Sequence, residues 1–105
     1  MYNLSMDLQK TVKDYLDYLE VEKNRSPLTR KSYERCLRKF LLITGAKKIS
    51  DVTEESIREF RVKLADMPGI KKGTQAYHII VIRNFLKYLA KRGIASVSAD
   101  KIELP

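Results

Sequence analysis

The feature that most constrains this chain is a helical spacing of its apolar residues, repeated in four segments. In each segment apolar side chains recur three and four positions apart, which places them on one face of an α-helix. Capping residues, proline or glycine separate the segments. Four such helices can bury their apolar faces only against one another, so the pattern predicts an all-α fold.

The helix boundaries follow from the residues that start and stop each segment. Ser26, Thr53 and Thr74 can each accept a hydrogen bond from the free N–H groups of a helix that follows. Pro27 suits a first helical position, and Gly45 suits a left-handed residue that ends a helix. The predicted helices are about residues 5–22, 27–44, 54–66 and 75–92.

The fourth segment contains an apolar run at residues 79–82 that, taken alone, resembles a buried strand. Its flanking cap, its length and the continued period of 3.6 favour a helix instead. We therefore predict a compact four-helix bundle of a single domain, residues 1–105. A short fifth turn is expected around residues 98–101, and residues 96–105 are expected to begin a linker.

The composition places these helices in one domain inside the cell. With 105 residues, of which 44% are apolar, the chain has room for one core. Its single cysteine, Cys36, has no partner for an internal disulfide and is predicted to be a small core residue. No stretch approaches the ~20 apolar residues of a membrane span, and the first residues lack the layout of a signal peptide. We expect a cytoplasmic, monomeric domain.

No constellation of catalytic or metal-binding residues stands out. The chain has one histidine, His78, so a metal site or a catalytic dyad would lack a second imidazole. There is no Gly-rich phosphate loop and no zinc-type spacing. Tyr15, Tyr33 and Tyr88 lie on or beside apolar stripes and are predicted to belong to the core. The sequence therefore predicts no catalytic residue, no cofactor and no metal in this chain.

The net charge of +8 is distributed unevenly along the chain. Residues 23–48 sum to +8 and residues 67–99 to +6, whereas residues 1–22 sum to −3 and residues 49–66 to −2. The second and fourth helices are therefore basic, and a compact bundle would gather their charge on one face. A polyanion is the expected partner of such a face. A solvated basic face without a partner is the alternative.

The candidate contact residues lie on the second helix and around the start of the fourth. A helix N-terminus with hydroxyl side chains suits a phosphate oxygen, as at Ser26 and Thr29. The first turn of the fourth helix, expected to be exposed, mixes donors, acceptors and a flat ring that can contact base edges. The predicted contacts are Ser26, Thr29, Arg30, Lys31, Arg35, Arg38, Lys39, Lys71, Lys72, Thr74, Gln75, Tyr77, His78, Arg83 and Lys87.

The order of these residues resembles a known family over roughly residues 6–94. The residues that carry the resemblance are Ser26, Thr29, Tyr33, Leu37 and Phe40 in the second helix, Ile49, Val52, Thr53, Ile57, Phe60 and Leu64 in and before the third, and Thr74, Ile79, Ile82, Arg83, Phe85, Tyr88 and Leu89 in the fourth. In this arrangement the chain is similar to the N-terminal core-binding domain, also termed SAM-like, of tyrosine recombinases and phage integrases. It departs from the family at Tyr77, where many members have arginine, and at the bulky Ile80 and Val81, which could instead support protein contact.

The resemblance implies a module that clamps one face of double-stranded DNA during integration or recombination. It implies an orthogonal four-helix bundle whose second and fourth helices lie in or along the major groove. It further implies that the catalytic residues belong to a C-terminal domain of the parent chain, outside these 105 residues, so that this chain binds DNA and does not cut it. Other recombinase protomers on the same DNA are further implied partners.

A function of a different class is also compatible with the sequence. The basic face of a helical domain can also bind RNA or an acidic protein, with the family-like spacing reflecting shared packing alone. A downstream domain with clustered Arg and His and a late Tyr in the parent gene would favour the recombinase hypothesis.

Overall fold

The computed structural model describes residues 6–105 and confirms the all-α bundle. Its elements are α1 (Leu8–Val21), α2 (Pro27–Thr44), a 3-10 turn (Ile49–Asp51), α3 (Glu54–Ala65), α4 (Lys72–Lys91) and a second 3-10 turn (Ala99–Lys101). One antiparallel bridge between Asp7 and Lys48 is the only extended pairing among the described residues. None of the helices in this part of the chain is long and apolar enough to cross a bilayer.

The ends of α2 and the start of α3 coincide with the predicted bounds because short-range hydrogen bonds determine them. The Ser26 hydroxyl accepts from the Thr29 N–H at 3.1 Å. Thr53 and Ser56 cap α3 reciprocally, each side chain accepting from the other's N–H at 3.0 and 2.9 Å. Gly45 adopts φ +71° and donates its N–H to the Leu41 carbonyl, which ends α2 in the left-handed conformation that glycine tolerates.

The predicted starts of α1 and α4 are wrong. Residue 5, where the first helix was expected to begin, lies outside the described residues, and α1 begins at Leu8 because Asp7 is held in the bridge to Lys48. The fourth helix begins at Lys72, three residues before the predicted position. The Gln75 N–H bonds to the Lys71 carbonyl at 3.0 Å and closes the first turn there, so Thr74 lies inside the helix and is not its cap.

The core lies where the four helices meet, with α2 in contact with α1, α3 and α4. Its largest buried side chains are Tyr15, Phe60, Leu8, Ile49, Ile57, Leu64, Ile79, Ile82, Leu86, Leu89 and Val81. Cys36 and Tyr88 are buried as predicted, whereas Tyr33 is only partly buried. Val81 is fully buried, so the suggestion that it supports protein contact is wrong.

The C-terminal tail packs on the helices instead of leaving them at residue 96. Ala99 and Ile102 are buried. The Arg83 side chain donates to the Ala99 carbonyl at 3.3 Å, and the Arg61 guanidinium donates to the Glu103 carbonyl at 2.7 Å. Residues up to Ile102 therefore form part of the domain.

Candidate nucleic-acid interface

Helices α2 and α4 are joined by a polar and aromatic seam that turns their outer rows into one surface. The Tyr77 hydroxyl is 3.0 Å from the Ser32 hydroxyl, and the Asn84 side-chain N–H donates to the Tyr33 hydroxyl at 3.2 Å. The rings of Tyr33 and Tyr77 meet edge to face at a centroid distance of 6.2 Å. The residues beside this seam on each helix therefore face the same side of the molecule.

Cations of α2 and α4 that turn toward α1 are neutralised there. The Arg30 guanidinium lies 2.9 Å from an Asp17 carboxylate oxygen and 3.2 Å from Glu20, and it holds the pKa of Asp17 below its usual value. Arg92 lies 3.3 Å from Glu22 and stacks over the Tyr18 ring. Part of the acidic charge on and beside α1 is thus ion-paired within the domain.

Six cations on or beside the outer rows of α2 and α4 are not neutralised in this way. Among residues 6–105, none of them has an ion-pair partner. Helix α4 contains no acidic residue, and the one acid of α2, Glu34, is bound to Arg38 at 2.7 Å. We refer to these six residues as the basic face: Lys31, Arg35, Lys39, Lys71, Lys72 and Lys87.

Several of the remaining predicted contact residues are engaged inside the domain. Arg30 and Arg38 are ion-paired, and Arg83 holds the tail. Gln75 reaches back to the Ile70 carbonyl at 3.4 Å. Ser26 and Thr29 bond to each other at the exposed start of α2, and Thr74 is exposed.

The expectation that His78 is exposed and available for contact is wrong. The residue is 5% exposed, because it shares the inward face of α4 with Ile82 and Phe85. Its ring lies 6.1 Å from that of Phe60, and its Nδ1 donates to the Thr74 carbonyl at 2.8 Å. His78 therefore belongs to the core.

Burial also gives His78 a measurable influence on stability. Desolvation lowers its pKa, the hydrogen bond to Thr74 opposes that shift, and the nearby charge of Lys39 adds to it. The unfolded chain therefore binds a proton at His78 more readily than the folded chain does. The contribution of His78 to the free energy of unfolding is fully present above a pH of about 6.5 and is lost as the pH falls below that value. Urea midpoints between pH 7.5 and 5 should show this loss, with a slope of at most about 1.4 kcal/mol per pH unit. A His78→Gln variant with the same loss over that range would contradict the assignment.

Cys36 offers no chemistry to this surface. Its side chain is buried, and burial raises the pKa of the thiol to about 11. A thiol with that pKa stays protonated and unreactive at neutral pH.

Two partly buried residues of the seam, Ser32 and Asn84, are not among the contacts predicted from the sequence. Ser32 and Asn84 are uncharged, and no pattern of charge or capping marks them. Asn84 follows Tyr77 by seven residues, which places both on one row of α4, and this spacing was the signal that could have found it.

Comparisons with known proteins agree with this fold. The family model for the phage integrase N-terminal SAM-like domain matches residues 12–93. The chain is 28% identical to tyrosine recombinase XerC of Serratia marcescens, over 96% of this chain and 34% of the relative. It is 31% identical to XerC of Pelobacter propionicus and 32% identical to tyrosine recombinase XerD of Chlorobaculum tepidum, over 92% of this chain and 32% and 33% of those relatives.

The chain spans about a third of the length of these curated relatives. No solved structure matches it at a significant level. Because the family model extends from within α1 to the end of α4, the chain belongs to the family of phage integrase N-terminal SAM-like domains.

Proposed function

We propose that this chain is the DNA-binding module of a site-specific tyrosine recombinase and holds duplex DNA through the basic face. The observation that carries the proposal is the set of six cations without carboxylate partners on the joined surface of α2 and α4. Phosphate groups are the natural counter-charges for such a surface, and contacts to them position a protein on the duplex.

The remaining roles in recombination are proposed to lie outside these residues. The relatives are named tyrosine recombinases and are about three times as long as this chain. We place the cutting and rejoining of DNA, and contacts with other protomers, in the portion of those relatives that this chain does not match. A connection to a catalytic domain would begin beyond Glu103, whose carbonyl the Arg61 side chain still holds.

The proposal predicts a steep dependence of DNA binding on salt. Each phosphate neutralised contributes about −0.9 to the slope of log K against log salt concentration, so six contacts would give a slope of about −5. The measurement is a titration of the isotopically labelled chain with a generic duplex of about 30 base pairs, at several salt concentrations. Amide shifts should concentrate in residues 26–39 and 71–87 and should fade as salt rises.

Three outcomes would contradict this function. Shifts confined to α1 and α3, or no binding even at low salt, would redirect the search to a protein partner. The narrow major groove of A-form RNA does not admit a helix, so the proposed DNA contact predicts weaker binding to an RNA duplex of the same length. Tighter binding to the RNA duplex would favour the RNA-binding alternative.

A further inference from the structure

Helix α4 carries an outward row that differs from a plain phosphate-binding surface. Tyr77, Ile80, Asn84 and Lys87 follow one another at intervals of three and four residues, so they lie on one side of the helix. Ile80 is 40% exposed, although the isoleucines on either side of it in the fourth segment are buried. An apolar side chain and an amide in the middle of a cationic surface contribute little to phosphate binding, which calls for another role.

The amide of Asn84 is held in a defined position. One of its two N–H groups donates to the Tyr33 hydroxyl at 3.2 Å. The Tyr33 ring is itself held between those of Tyr15 and Tyr77, at centroid distances of 6.4 and 6.2 Å. The second N–H and the carbonyl oxygen of Asn84 make no hydrogen bond within residues 6–105. A partly exposed donor and acceptor therefore stand side by side on a supported side chain.

This pair of groups matches the edge of one base. In the major groove adenine presents the N7 acceptor beside the N6 donor, and an asparagine amide binds both at once. Guanine has an acceptor, O6, in place of the N6 donor, and would face the Asn84 carbonyl oxygen with a second acceptor. Ile80, one helical turn away, offers a surface of the kind that contacts the thymine methyl group.

We propose that Asn84, positioned by Tyr33, selects adenine at one place in the DNA site, and that Ile80 contacts a thymine methyl group beside it. The inference rests on the proposed function above and adds base selectivity to it. The basic face supplies affinity for any duplex, while this row distinguishes A·T pairs from G·C pairs. Tyr33 acts as a positioning residue and does not itself contact the base.

The test begins with selection from a library of duplexes whose central 12 base pairs are random, which should enrich an adenine at a fixed place. Replacing that adenine with 7-deazaadenine removes only the N7 acceptor. We expect this change to weaken binding by the wild-type chain about 5- to 100-fold. Asn84→Ala should bind the unmodified site correspondingly more weakly and show no response to 7-deazaadenine. Because asparagine carries no charge, the variant's salt slope on an unselected duplex should match that of the wild type.

Two further variants separate readout from structural support. Tyr33→Phe keeps the ring and removes the hydroxyl, and it should reduce the response to 7-deazaadenine without changing the salt slope on an unselected duplex. Ile80→Ala should abolish any effect of replacing the neighbouring thymine with uracil, which lacks the methyl group. Thermal unfolding of each variant verifies that the fold is retained. The 7-deazaadenine measurement on the wild type tests the role of Asn84 even if a variant fails to fold.

The outcomes distinguish this inference from the proposed function. Salt-dependent binding without an enriched adenine, or without a response to 7-deazaadenine, overturns the role of Asn84 and leaves the DNA-binding function intact. An absence of duplex binding by the wild type overturns both. An unchanged thymine-to-uracil response in Ile80→Ala removes Ile80 alone from the readout.

Discussion

Replacing Phe60 with alanine is expected to lower the free energy of unfolding by about 3–5 kcal/mol. The Phe60 side chain is 0% exposed and lies where α2, α3 and α4 meet. Its ring meets that of Phe40 edge to face at 5.3 Å and lies 6.1 Å from the ring of His78. Truncation removes these contacts and leaves a cavity that three helices would have to collapse to fill.

Urea unfolding followed by circular dichroism measures this loss. A domain of this size is stable by about 5–15 kcal/mol in total, so the variant should be marginal and should unfold well before the wild type. Val62→Ala, in the same helix but 56% exposed, is the matched control and should change stability by less than about 0.5 kcal/mol. A loss below about 1.5 kcal/mol for Phe60→Ala would show that the centre of the core lies elsewhere.

Changing Lys31, Arg35 and Lys39 together to glutamine is expected to weaken binding to a generic DNA duplex by roughly 10- to 100-fold at low salt. Lys31 and Arg35 are exposed, Lys39 is partly exposed, and none of the three has an ion-pair partner among the described residues. If each neutralises one phosphate, the salt slope should become less steep by about 2.7. Fluorescence anisotropy with a labelled duplex at several salt concentrations measures both quantities.

Two controls separate the position of charge from its amount. Lys10, Arg58 and Lys63 lie exposed on α1 and α3, and changing them to glutamine removes the same net charge from a different face. Arg30→Gln removes a charge from α2 itself, but one that is already paired with Asp17 and Glu20. Both should leave the salt slope nearly unchanged. Equal weakening by the two triple variants would mean that total charge, and not the basic face, governs binding.

The sequence predicted which helices carry the candidate site, but it did not predict which of their side chains are free to bind. The charge sums identify α2 and α4 because charge is a property of the residues themselves. The partners of those charged side chains cannot be predicted in this way. Arg30 pairs with Asp17 thirteen positions away, and Arg83 donates to the Ala99 carbonyl sixteen positions away. Asn84 is a surface amide like any other until the fold brings the Tyr33 hydroxyl to it across 51 positions.

The sequence by itself determined the four helices, the ends of α2 and the uneven distribution of charge. Those features depend on interactions within about four residues, such as the Ser26 and Thr53 caps, or on no interaction at all. Only the tertiary structure decided that His78 is buried and that the tail packs as far as Ile102. Local signals allow either alternative at these places, and the choice is made by burial against residues that are distant in the chain.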